Sequence, residues 1–308
     1  MFDFVSIIYY NKAEIDLLKI QLFSFKFVDI NIINNIYILF NDSKDKNQQF
    51  ETEYLNSIEK FVPIHLIKKI KIIYITDLIC LDETYISNWF TQQFAKIYVS
   101  KIINSTCYIV LDSKNIFIKN ADMSTFILDN KIKMYFSTHC DELLKYYHNC
   151  FDYFRIKDVS FYNPYKPPLY IQSTTPFVFI TQECKNLIDF IENKENITLY
   201  KFFFRHKYTE FFLYFAWLCF VNKKDNYIFL DRMINNIIVG PHDPVEFVWN
   251  SWKAKLEFIH NFKPNVFSLS SKCVSIIDEK YKKNITNFLN GIFKNEMIND
   301  TIENALHP

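Results

Sequence analysis

The chain has 308 residues, 50% of them hydrophobic and 19% aromatic, with 35 basic and 34 acidic side chains and a net charge of +1. That apolar content suffices for a large buried core without disulfides, and the balanced charge excludes the long-range positive field of a nucleic-acid binder. The two glycines, Gly240 and Gly291, are too far apart for a glycine-rich dinucleotide loop or a Walker loop.

Apolar runs and periodicity predict the elements in order. Phe4 to Tyr9 reads as a buried strand, and Ala13 to Phe27 as a helix with Leu17, Leu18, Leu22 and Phe25 inward. Ile36 to Phe40 is a second strand, closed by the turn formers Asn41-Asp42-Ser43. A helix over Glu51 to Phe61, a strand over Lys71 to Ile75, a helix over Ser87 to Ile103 and a strand over Cys107 to Leu111 follow. This alternation predicts an α/β fold with a mostly parallel sheet and helices on both faces. Beyond residue 120 the pattern is mixed. Lys133 to Phe136, Val178 to Thr181, Tyr227 to Leu230 and Val266 to Leu269 read as strands. Asp141 to Phe151, Glu183 to Glu192, Thr209 to Val221 and about 276 to 295 read as helices.

The seven cysteines show no CxxC and no paired spacing, as expected of reduced thiols in a cytosolic protein. His139-Cys140 and His148-x-Cys150 lack the spacing of zinc fingers. The start, Met1 to Tyr10, has neither the basic region nor the cleavage site of a signal peptide. The longest apolar stretch, Phe211 to Val221, falls well short of the roughly 20 residues of a membrane span.

The segment Tyr108-Ile-Val-Leu111-Asp112-Ser113-Lys114-Asn115 places a carboxylate where a buried strand leaves the sheet, the edge at which open α/β sheets bind ligands. Ahead of it, Gln92-Gln93-x-x-Lys96-Ile97-Tyr98 lies in a predicted helix. Together these segments resemble the nucleotide-sugar glycosyltransferases of the GT-A fold, and most of all a bacterial group from capsule and lipo-oligosaccharide loci. The resemblance runs from Val5 to about Asn290. It implies a single GT-A-like domain over 1–308, with a nucleotide-sugar-binding half at 1–120 and an acceptor-binding half at 121–308.

In that family the strand-end acid belongs to an Asp-x-Asp element that holds the donor diphosphate, usually through Mn²⁺ or Mg²⁺. Asp112 would be the metal ligand if one is used. Two departures keep metal dependence open: Lys114 stands where a second aspartate is expected, and Ser270 where a histidine follows Phe-Ser-Ile. Tyr9, Tyr10, Asn11, Asn41 and Asp42, at the ends of the first two strands, are candidates for the nucleoside. Gln92, Gln93, Lys96, Asp112 and Lys114 are candidates for the diphosphate.

Tyr208-Thr209-Glu210-Phe211-Phe212-Leu213-Tyr214 resembles the family's Ser/Thr-Glu-x-x-Leu-Tyr segment. Glu210 is the candidate base, its pKa raised by aromatic surroundings. The bland reading is Thr209 as N-cap with Glu210 in the first helical turn. His242 and Asp243 are weaker candidates, and the hydroxyls of Thr174 and Thr175 are expected to be exposed. The implied reaction moves a sugar from a nucleoside diphosphate donor to a hydroxyl of a surface glycan, free or lipid-linked. An inverting course, with the enzyme in the cytoplasm or at the inner membrane face, is expected. A transferase using another activated nucleotide and a silent glycan-binding scaffold remain as alternatives.

Overall fold

The computed structural model describes residues 1–9, 12–41, 60–79, 89–137, 139–157, 170–206, 208–230, 236–239, 257, 259–261, 263–269 and 279–306. Among them β1 (Phe2–Ile8), β2 (Ile33–Phe40), β3 (Ile70–Tyr74) and β4 (Cys107–Asp112) pair in parallel, in the order β3-β2-β1-β4. The predicted α/β alternation is thus realised as a mostly parallel sheet. β1 is buried along its whole length, as a central parallel strand must be when both faces are covered. Strand Phe177–Ile180, numbered β9 below, closes the sheet antiparallel to β4.

Strand alternation shows which helix covers which face. In β1, Ser6 turns to helix α1 (Lys12–Ser24), where its hydroxyl donates to Gln21 at 2.6 Å. Tyr108 is in register with Asp3 and so points to the opposite face. Its hydroxyl donates to the Lys96 carbonyl in helix α2 (Trp89–Tyr98) at 2.8 Å. α1 and α2 therefore lie on opposite faces. Asp112, in register with Ile7, belongs to the α2 face.

Asp3 is a buried carboxylate within β1. It accepts from the amides of Asn34 and Asn35 and from the Ser105 hydroxyl, which ties the far ends of β1, β2 and β4 together. A buried charge held by several donors satisfies the requirement for internal partners.

After a two-residue turn at Ser113-Lys114, β5 (Asn115–Phe117) runs antiparallel to a late strand, Val266–Leu269, numbered β12 below. Then come β6 (Ile127–Leu128), β7 (Lys131–Ser137), helix α3 (Asp141–Tyr153), β8 (Tyr170–Ile171) and β9. Helices α4 (Thr181–Glu195), α5 (Leu199–His206) and α6 (Glu210–Phe220) follow. β10 (Tyr227–Leu230) pairs with β7, and β11 (Asn236–Val239) with β12. The chain closes with α7 (Glu279–Phe293) and α8 (Glu296–Leu306). One core cluster surrounds the main sheet, and a second joins α1 to α7 and α8 through Leu17, Ile285 and Ile302.

Several boundaries differ from the sequence reading. The first strand begins at Phe2, and the third ends at Tyr74, whose N–H donates to Asp77 and opens a helical turn. The helix predicted to reach Phe27 ends at Ser24 and continues as a 3₁₀ turn. β6, β8, β11, α5 and α8 were not foreseen. Most of the helix predicted over Glu51 to Phe61 lies outside the described residues. Among those described, no helix is long and apolar enough to cross a membrane.

Candidate active site

Asp112 ends β4, and the turn after it is pinned from three sides. Its N–H donates to Asn115 Oδ1 at 2.8 Å. Gln21 Nε2 donates to the carbonyls of Asp112 and Asn115 at 2.6 and 3.0 Å. Asn115 Nδ2 donates to Ser268 Oγ at 2.7 Å, and the Lys114 carbonyl accepts from Leu269 N–H at 3.0 Å. Ser113 Oγ bonds the Glu14 carboxylate. The backbone that presents Asp112 is therefore held by α1 and β12.

Lys96, in the last turn of α2, is only 4% exposed. Its ammonium lies 2.9 Å from Glu210 Oε1 and 3.3 Å from Asp112 Oδ1, over the Phe211 ring at 5.1 Å. Lys114 Nζ approaches Asp112 Oδ2 at 3.0 Å from the other side, and Thr175 Oγ1 donates to the same oxygen at 2.9 Å. Four charges, two of each sign, thus meet at the carboxyl end of the sheet.

Their protonation follows from these contacts. Burial pulls the Lys96 pKa down, but the charges of Asp112 and Glu210 outweigh it and hold the ammonium above its usual value. Burial pushes Asp112 up, yet Lys114 and Lys96 hold it well below the usual carboxylate range. At Glu210 burial prevails over the pull of Lys96 and raises the carboxyl. Glu210 is 1% exposed, and its Oε2 has no hydrogen-bond partner.

The structure brings together Lys96, Asp112, Lys114 and Glu210. Gln92 sits one turn before Lys96 and donates to the Ile7 carbonyl at 3.4 Å, next to the end of β1. Gln93 turns instead to its own helix, bonding the Trp89 carbonyl. Tyr9 is half-buried directly after β1. Asn11 and Asp42 lie outside the described residues, as do Tyr10, His242, Asp243 and Ser270.

Thr175, expected to be exposed, is buried against Asp112. Thr209 takes the N-cap position of α6 without a side-chain cap bond. Sequence reasoning missed Gln21 and gave Asn115 no role. Gln21 had a signal of its own, a lone amide within the inward stripe Leu17, Leu18, Leu22 and Phe25.

A divalent cation at Asp112 would face the ammonium groups of Lys96 and Lys114. Oδ2 already accepts from Lys114 and Thr175, while Oδ1, 3.3 Å from the Lys96 ammonium, has no hydrogen-bond partner, so an ion that binds carboxylate oxygens would find one open oxygen with two ammonium groups beside it. Among the described residues no group of three His, Cys, Asp or Glu side chains gathers around a common point.

Residues 10–262 match the model of a family of unknown function, DUF6492. The chain belongs to this family. No curated protein matches it. Solved structures similar to it include the glycosyltransferase GlyE of Streptococcus pneumoniae, at 15% identity and a TM-score of 0.39, covering 87% of this chain and 54% of that one. The chain thus spans about half the length of GlyE. Mouse xyloside xylosyltransferase 1 is similar at 11% identity and TM-score 0.41, covering 87% and 97%. The galactosyltransferase LgtC, with donor and acceptor sugar analogues, is similar at 10% identity and TM-score 0.41, covering 86% of each chain.

Proposed function

We propose that this protein is a glycosyltransferase that moves a sugar from a nucleoside diphosphate donor to a glycan hydroxyl, in surface-polysaccharide synthesis of the capsule or lipo-oligosaccharide kind. The observation that carries the reading is the Lys96–Asp112–Lys114 cluster at the carboxyl end of the parallel strands. In open α/β sheets this edge holds the ligand, and two ammonium groups there can stabilise the negative charge that builds on a departing diphosphate. Gln92, beside the end of β1, adds an amide along the same edge.

Glu210 enters this reading as the residue that holds Lys96. A base must reach the acceptor hydroxyl, whereas Glu210 is buried with Oε1 on the ammonium. Its contribution is to fix the position and charge of the cation, and the sequence-based base assignment gives way to that positioning role.

The test is release of nucleoside diphosphate from a panel of UDP-, GDP- and CDP-linked sugars, with surface-glycan fragments as acceptors. One donor class is expected to be turned over. Lys96→Ala and Lys114→Ala are each expected to lower kcat by about 10²-fold or more, the scale of one lost electrostatic contact to the developing charge. Equal turnover by wild type and both variants, or no turnover and no nucleotide binding, would remove the reading.

A further inference from the structure

We infer that Lys96 and Lys114 take the place of the divalent cation, so that this chain binds the diphosphate of its nucleotide without a metal ion. The inference rests on the donor-site reading above and deepens it. Its starting point is the charge around Asp112, where Lys114 and Thr175 occupy Oδ2 and the Lys96 ammonium lies 3.3 Å from Oδ1. A metal ion there would sit against two ammonium groups whose charge repels it.

The two lysines differ in a way that suits a division of labour. Lys96 is immobilised: it is buried, shared by Asp112 and Glu210, and its helix is tied to β4 by the Tyr108 hydroxyl. It neutralises Asp112, which would otherwise repel phosphate. Lys114 is the outer member, with its side chain 32% exposed. Its backbone is anchored, because the carbonyl accepts from Leu269 N–H. The long stem can thus turn from Asp112 to an entering phosphate while its root stays in place, and a lysine ammonium is an effective point charge for phosphate.

The four charges sum to zero, but they are ordered by depth. The deepest is the carboxylate of Glu210, and the outermost is the ammonium of Lys114. An anion approaching the sheet edge therefore meets positive charge first.

The experiment is isothermal titration of the full chain, stripped with EDTA, with UDP, GDP, CDP and CMP, repeated with Mn²⁺. One nucleotide is expected to bind in EDTA, with Mn²⁺ changing its Kd by less than about threefold. Lys114→Ala should weaken that binding by about tenfold or more, the scale of one charge-assisted contact, with no rescue by Mn²⁺. Lys114→Asp places two carboxylates two residues apart and should convert the site, so that binding is lost in EDTA and returns with Mn²⁺. Wild-type binding seen only with Mn²⁺ would overturn the inference and leave the donor-site reading standing. Metal-free binding by Lys114→Asp at wild-type strength would likewise overturn the inference alone. No binding of any of these nucleotides under either condition would remove both.

Discussion

Lys96→Met withdraws the cation that two acids share, and its cost can be worked from the geometry. At 2.9 Å from Glu210, the gross attraction is about 6 kcal/mol at an effective dielectric constant of about 20. Desolvation of both buried groups offsets most of it in the intact protein. Removing one partner leaves the offset standing alone, because Glu210 stays buried without a cation. Breaking a buried pair from one side costs about 3–5 kcal/mol, out of a typical stability of about 5–15 kcal/mol. Glu210 can escape part of that cost by taking up a proton. Burial already raises its pKa against the pull of Lys96, so losing Lys96 raises it further. A raised folded-state pKa gives stability that is full below the unfolded-state value and is lost as pH rises through the folded one. Lys96→Met should therefore lose stability between about pH 5 and pH 8 more steeply than wild type. Adding Glu210→Leu removes the stranded carboxylate and should recover at least about 2 kcal/mol at the upper pH. Urea unfolding of wild type, both single variants and the double variant at the two pH values closes the cycle. A Lys96→Met protein within about 1 kcal/mol of wild type at pH 8, or a double variant no more stable than the single, would refute the charge-pair argument.

Three further outcomes follow from the same contacts. Asp112 is held below its ordinary value of 3.8 because Lys114 and Lys96 outweigh burial, so it contributes stability above that value that is lost as pH falls towards the folded-state one. Asp112→Asn should thus be less stable than wild type by about 2–3 kcal/mol at pH 7, with the gap closing below about pH 4, as urea midpoints across that range would show. Gln21→Leu strands the Ser6 hydroxyl and the Asp112 and Asn115 carbonyls, and should cost about 2–4 kcal/mol. That is a fall in Tm of about 3–6 °C by calorimetry, while an unchanged Tm would mean that the turn does not depend on α1. Thr175→Val removes one donor from Asp112 Oδ2 but leaves Lys114 on the same oxygen. It should cost only about 1 kcal/mol in urea unfolding, and a loss as large as that of Gln21→Leu would contradict the view that Lys114 dominates at this oxygen.

The central sheet was readable because buried parallel strands are continuous apolar runs, as in Ile36 to Phe40 and Tyr108 to Leu111. What the runs do not encode is their partners. Phe177–Ile180 reads as a strand, but its antiparallel place beside β4 is a tertiary choice. Boundaries moved wherever a single local contact decided them. Lys294, at a φ of 49° between α7 and α8, breaks the helix with no glycine to announce it, and so α8 went unseen.

At the site, Asp112 was found by its position at a strand end, a local property. The link between Lys96 and Glu210 spans 114 residues and leaves no trace in spacing. The aromatic residues that marked Glu210 as a candidate base were read correctly as a desolvating environment, and its carboxyl is indeed raised. Surroundings apolar enough to strengthen a base are useful only while the carboxylate still meets its substrate, and complete burial instead demands a counter-ion. Lys96 meets that demand, and in doing so acquires a fixed place beside Asp112. A buried acid on one helix thus sets the charge at the end of a strand on another part of the chain, which is why the chemistry of this edge becomes visible only when all four charges are considered together.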